Sequence, residues 1–248
     1  MKQIKLITKL IAVLTIFILA SCSQEDDTTE EVVTELESAE DIGATLSEDL
    51  LPIVDDADEL AEKASDDGRS YEVKACGVSY DTAFTREYEG VYVTSNASFS
   101  YAYELVCNGA IPTTLNLDAT SSGTRTTQRL TSQGSNTSEL VVTGIQPGST
   151  SYVVNGSLER TGSVTGESKS FSSTSNLTIT DLTVTKSTQQ IASGTATVTY
   201  AGSTSAGNSV SRTASVSFLG GGEAELTLNS GRKFLVNLRT GEVTEIED

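Results

Sequence analysis

In FSYAYELVC, residues 99–107, every odd position is apolar or aromatic. Phe99, Tyr101, Tyr103, Leu105 and Cys107 take the odd positions, and Ser100 and Glu104 stand between them. Side chains two residues apart share one face of a strand, so the stretch reads as a strand with one buried and one wet face. The same period recurs along the chain at Leu115, Leu117, Ala119 and at Tyr152, Val154, Gly156, Leu158. It continues at Ala196, Val198, Tyr200, at Ala214, Val216, Phe218, at Ala224, Leu226, Leu228 and at Phe234, Val236, Leu238. Between these runs the gaps are short and carry no helical period. Parallel pairing needs a crossover of a dozen or more residues, so neighbouring runs are expected to pair antiparallel. Residues 71–248 therefore read as an all-β domain, an antiparallel meander of about ten strands closing into a barrel or folding over as a sandwich. An extended single curved sheet is the alternative, suited by the Thr/Ser-rich outer faces.

Turns are expected at Gly109, Gly123, Gly134, Pro147-Gly148, Gly162, Gly202 with Gly207, Gly220-Gly221-Gly222, Asn229-Ser230-Gly231 and Thr240-Gly241. The segment SSGTRTTQRLTSQGSNTSE, residues 121–139, reads as a long loop or exposed hairpin that displays Arg125 and Arg129 to a partner or to water.

Ahead of the β domain the texture is different. From 23 to 70, eighteen Asp or Glu stand against Lys63 and Arg69, a net charge of −16, whereas residues 71–248 carry −5. Blocks of like charge with few aromatics repel and stay solvated, so residues 22–46 read as an acidic tether. Residues 47–70 read as acidic and partly helical. Ser47 suits one N-cap, Pro52 interrupts, and Asp55 or Asp56 suits a second. The Asp55, Asp56, Asp58, Glu59 cluster fails the EF-hand spacing, because the sixth position from Asp56 is Ala61 and not Gly. No basic patch stands ready to neutralise phosphates, which disfavours a nucleic-acid partner.

The first 21 residues form a signal. Lys2, Lys5 and Lys9 precede ten residues, LIAVLTIFIL, that are apolar except for Thr15. A membrane-spanning helix needs about 20 such residues, so the core is too short to remain as a span. Leu19-Ala20-Ser21-Cys22 resembles the lipobox of bacterial lipoproteins. That resemblance implies lipidation of Cys22, a mature chain starting there, and stable attachment to a membrane, since two acyl chains hold where one does not. Ser23-Gln24-Glu25-Asp26-Asp27 further resembles the acidic export signal of Bacteroidota lipoproteins. It implies a position on the outer face of the outer membrane, the periplasmic face being the alternative. Asp27-Thr28-Thr29 and Asp81-Thr82-Ala83 resemble the O-glycosylation motif of the same group, which makes Thr28 and Thr82 candidate acceptors.

With Cys22 assigned to lipid, Cys76 and Cys107 remain as an even pair in an exported chain and are expected to form a disulfide. Closing that loop stabilises by roughly 3.7 kcal/mol on the chain-entropy estimate. The chain has no histidine, which removes Ser-His-Asp and Cys-His catalysis and most zinc and iron sites. Neither a metal nor a cofactor is expected. Glu87 with Glu89 and Glu223 with Glu225 have the spacing of a carboxylate pair for glycoside hydrolysis, yet each sits on an expected exposed edge, so no catalytic residue is assigned. There is no Trp. Tyr80, Tyr88, Tyr92, Tyr101 and Tyr103 could form a small aromatic patch, the last two being core positions by their alternation. The expected role is that of a surface lipoprotein with a non-enzymatic binding, adhesion or envelope-structural task, its ligand a glycan, protein or lipid. The alternatives are a periplasmic lipoprotein whose sheet carries a lipid or other apolar ligand and, behind it, a carboxylate glycosidase.

Overall fold

The computed structural model describes residues 32–65, 76–90, 93–127, 129–146, 148–166 and 169–247. The chain begins there with a helical run. Helix α1 (Glu35–Ala44) passes into a π-helical turn (Thr45–Leu50) and then into helix α2 (Leu51–Ser65). Eleven strands follow: β1 (Ser79–Glu89), β2 (Val93–Asn108), β3 (Ile111–Thr127), β4 (Leu130–Thr143), β5 (Ser151–Gly166) and β6 (Ser170–Thr185). The remainder are β7 (Gln190–Thr204), β8 (Ser209–Gly220), β9 (Glu223–Leu228), β10 (Lys233–Asn237) and β11 (Val243–Ile246).

All eleven form one antiparallel sheet in sequence order. The meander is as the alternation implies, but it neither closes into a barrel nor doubles into a sandwich: β1 and β11 are the two edges. Every alternating run named above is buried on one face, with Phe99, Tyr101, Leu115, Leu117, Val198, Leu226 and Phe234 among the innermost side chains. The curved single sheet is thus the form adopted, and the reason lies in what fills its concave side.

The filling is the helix. Ile42, Leu46, Leu50, Ile53, Val54, Ala57 and Ala61 recur mostly at intervals of three and four, the helix period. Each is no more than 1% exposed, within the same apolar cluster as the strand residues. Residues 41–47 are buried at every position, so this part of the helix is enclosed on all sides. A second sheet or a closed wall is unnecessary when a helix supplies the opposing apolar surface. Gly43 lets β11 come close, because a Cβ there would lie 2.7 Å from Val243 Cγ2.

Two expectations about the acidic segment are corrected. Helix α1 starts inside residues 22–46, the stretch read as tether, and residues from Val32 onward belong to the same compact unit as the sheet. Thr34 caps it through a capping box: the Glu37 N–H donates to Thr34 Oγ1 (3.2 Å) and the Thr34 N–H to Glu37 Oε2 (2.8 Å). Nor does Pro52 end the helix. A proline in a regular turn lacks the N–H and presses on the carbonyl four residues back. Here the preceding turn is widened, with the Leu51 N–H donating to Leu46 O, and the helix runs through.

Three expected turns also lie elsewhere, and the one expected at Gly202 with Gly207 is made at Gly207 alone. Gly123, Gly134, Gly162 and Gly202 sit inside β3, β4, β5 and β7. The register places Ala97, Gly123, Gly134, Gly162, Ser173 and Gly202 side by side on six successive strands. A Cβ on Gly162 would lie 2.5 Å from Gln133 O, and one on Gly134 3.0 Å from Thr161 O. This row of small residues is where neighbouring strands approach too closely for side chains and the sheet bends. Segment 121–139 is accordingly a hairpin of β3 and β4, the second of its two expected forms, and not a long loop. Cys76 and Cys107 lie at disulfide distance, with Cα atoms 5.8 Å apart, and join the entry to β1 to the end of β2.

Gly162→Val should therefore lower the unfolding free energy by about 1–3 kcal/mol in urea titration. Ser163→Val, one residue along on the exposed face, should stay within about 0.5 kcal/mol of the parent.

Candidate functional site

The residues that stand out chemically are at the seam between helix and sheet. Residues 71–248 carry eleven Lys or Arg, and seven of them pair with acids of the helical run. Arg86 of β1 meets Asp56, and Arg125 of β3 meets Glu48. Arg129 in the β3–β4 turn reaches Glu40 at 3.0 Å, and Lys169 in the β5–β6 turn reaches Glu37 at 3.0 Å. Arg212 of β8 lies 3.8 Å from Glu35 and donates to Val33 O at 2.8 Å, while Arg232 donates to Glu35 at 3.1 Å.

The seventh cation, Arg160 of β5, is the deepest. Its Nη1 donates to Asp41 Oδ1 at 2.9 Å and its Nη2 to Ser132 Oγ at 2.6 Å, and its Nε lies 3.0 Å from Asp49 Oδ2 as an ion pair. Asn136 adds a further bond to Asp49 Oδ1 at 2.6 Å, and Ser121 another at 3.4 Å. Arg160 and Asp41 side chains are 4% and 0% exposed, so this triad has almost no help from water. Taking charges out of water costs several kcal/mol per ion, and such a cluster survives only because each partner is present. The exposed pairs at the rim contribute far less.

Beside the triad, burial pushes the Glu48 carboxyl up to about 7, against the pull of Arg125 and with added repulsion from Asp49. Burial also raises Asp49, opposed by Arg160 and by hydrogen bonds from Asn136 and Ser121. The π-turn brings these two consecutive acids to the sheet together, Glu48 to Arg125 and Asp49 to Arg160.

Helix and sheet do not cover the concave face completely. A cleft of about 180 Å³ remains beside the π-turn. Ala97, Gly123 and Gly134 form part of its lining, with Glu48, Asp49 and Pro52 from the helical run, and Arg86, Arg125, Arg160 and Arg239 contribute guanidinium groups. Tyr88, Ser95, Asn96 and Thr124 complete the rim. Arg125 donates to Thr240 O across the cleft, tying β3 to the β10–β11 turn.

The sequence-derived candidates are dispersed relative to this cleft. Cys22 and Thr28 lie outside the described residues, as does Tyr92. Thr82 is exposed on β1. Glu87 and Glu89 stand on the exposed face of β1, where Asn96 donates to Glu87 at 3.0 Å. Glu223 and Glu225 are on β9, the latter 3.8 Å from Lys233. Tyr101 and Tyr103 are core side chains as their alternation implies, and Tyr80 stacks on Tyr103 with centroids 5.6 Å apart. Arg125, expected to be displayed on a loop or exposed hairpin, is instead 7% exposed, because it stands on the inward face of β3. Asp56, read as solvated, is buried and accepts from the Tyr101 hydroxyl at 2.5 Å. Among the described residues no group of three or more His, Cys, Asp or Glu is placed to hold a metal ion.

Asp41, Glu48, Asp49 and Arg160 escaped the reading of the sequence. One signal was present: Asp41, Glu48 and Asp49 are seven and eight residues apart, two helical turns, and so share a face. Neither a family model, nor a curated protein, nor a solved structure matches the chain.

Two outcomes follow from this geometry. Arg160→Met leaves Asp41 and Asp49 buried without their cation and should cost about 3–5 kcal/mol, against less than about 1 kcal/mol for the exposed Arg129→Met. The ordinary value of the Glu48 carboxyl is 4.5 and the fold holds it near 7, so folding favours its protonated form. That stabilisation is complete below pH 4.5 and is lost as pH rises through 7. The parent should lose up to about 3 kcal/mol over this window relative to Glu48→Gln, read by urea unfolding at stepped pH.

Proposed function

We propose that this chain is a lipid-anchored envelope protein facing the cell surface, with a non-enzymatic binding role. The observation that carries the reading is Leu19-Ala20-Ser21-Cys22 at the exit of a ten-residue apolar core, followed by Ser23, Gln24, Glu25, Asp26 and Asp27. Cys22 takes the lipid, and the acidic residues behind it direct export. Ten residues separate Cys22 from Val32, where the domain begins, a reach of at most ~35 Å.

The concave face supports binding over carriage of an apolar ligand. A carrier would keep that face open for lipid, and here the side chains of α1, the π-turn and α2 occupy it. The cleft that remains is lined by guanidinium, hydroxyl and amide groups together with a few apolar ones. Support for a non-enzymatic role comes from the carboxylates: the paired ones stand on open strand faces, and the buried ones are held by arginines.

In cells grown with labelled palmitate, the parent should carry label and fractionate with the outer membrane. Cys22→Ser should lose both properties. Protease added to intact cells should degrade the parent, and full protection of the chain would overturn the outward-facing assignment.

A further inference from the structure

We propose that the cleft beside the π-turn holds a carboxylate-bearing sugar, a uronic acid unit of an acidic glycan. This rests on the binding role proposed above and names its ligand class. The size comes first. At about 180 Å³ the cleft is smaller than the ~300 Å³ at which pockets for drug-sized molecules begin, so it admits one ring with its substituents.

The lining then selects the chemistry of that ring. Ala97, Gly123 and Gly134 present backbone and almost no side chain, because the bend of the sheet excludes Cβ atoms there. A sugar ring can approach such a surface closely. Tyr88, 50% exposed at the rim, supplies an aromatic face of the kind on which the C–H side of a sugar packs. Ser95, on the same strand face as Ala97 and Phe99, supplies a hydroxyl that can donate to or accept from ring hydroxyls.

Charge fixes the remaining substituent. The two acids lining the cleft are already engaged, Glu48 by Arg125 and Asp49 by Arg160 and Asn136. The two guanidiniums that face solvent are those of Arg86 and Arg239. Arg86 keeps 44% of its side chain exposed while pairing with Asp56, and Arg239 is exposed and makes no direct ion pair with any described residue, the Asp55 carboxylate acting on both from a longer range. Planar guanidinium forks match a carboxylate bidentately, which a neutral hydroxyl cannot reproduce. In a chain of net charge −18, two accessible cations beside an aromatic rim mark a site for an anion with an apolar face.

The test uses the purified full-length chain in detergent and isothermal titration calorimetry. The probes are an oligogalacturonate, the same oligomer with its carboxyls reduced to alcohols, a sulfated oligosaccharide and a short polyglutamate. The uronate should bind, and the reduced oligomer at least ten-fold more weakly. Arg239→Gln and Tyr88→Ala are exposed substitutions expected to keep the parent's melting temperature. Each should weaken the uronate at least five-fold. Sulfated oligosaccharide binding as tightly as the uronate would overturn the carboxylate assignment, and polyglutamate doing so would overturn the sugar assignment. Equal binding of the reduced oligomer would overturn this proposal while leaving a glycan-binding role intact. Release of shortened products from the oligogalacturonate would instead overturn the non-enzymatic reading on which it rests. Uronate affinity unchanged in both variants would remove the cleft as the site.

Discussion

Arg160 is a cation almost without water, and the position of the helix follows from satisfying it. It donates to Asp41 on α1 and Ser132 on β4 and pairs by charge with Asp49 on the π-turn. Sliding the helix by one turn would strand a buried guanidinium against apolar side chains and leave two carboxylates unpaired, a cost of several kcal/mol. Apolar packing alone is more forgiving, because Leu, Ile and Val side chains accept many neighbours. The ionic triad thus sets the register of a helix whose stabilisation comes from burying Ile42, Leu46, Leu50, Ile53 and Val54. Widening the helix before Pro52 is part of the same arrangement, since it delivers Glu48 and Asp49 to two different arginines.

The sheet answers to the helix in turn. An eleven-strand meander must bury one face, and curling round a rod does this only if its concave side can tighten. The row from Ala97 through Gly123, Gly134 and Gly162 to Gly202 supplies that bend. Larger inward side chains, such as Leu117, Leu140 and Ile179, lie toward the other end of the strands and build the apolar core. With the interior filled by helix, the edge strands have no need to meet. Asp81, Arg86, Glu87 and Glu89 along β1 leave its free edge charged, which discourages pairing with another sheet.

Strand alternation was legible because it is local: each of the runs from Phe99 to Leu238 announces its buried face within six or eight residues. The acidic segment was not, because its meaning depends on partners far along the chain. Asp41 is 119 residues from Arg160 and Glu35 is 197 from Arg232. Seen alone, eighteen acids and two bases describe a self-repelling strand of solvated chain. Set against seven sheet cations, they describe a counter-surface. The glycines were misplaced for a related reason. A turn and a point of close strand approach both call for a residue without Cβ, and only the pairing register separates the two uses.

One consequence concerns how a domain of this kind is attached. In an ordinary anchored domain the tether is dispensable to the fold, and its length can drift. Here the segment leading from Cys22 becomes, within ten residues of Val32, the centre of the core. Tension on the proposed anchor would pass directly to the Thr34 cap, the Lys169–Glu37 and Arg212–Glu35 pairs, and then to Arg160. The cleft sits beyond them, beside the π-turn, on the part of the helix that the deepest charges hold still. A binding site gains from that placement: its floor is the bend of the sheet and its wall is the one stretch of helix whose register cannot slip.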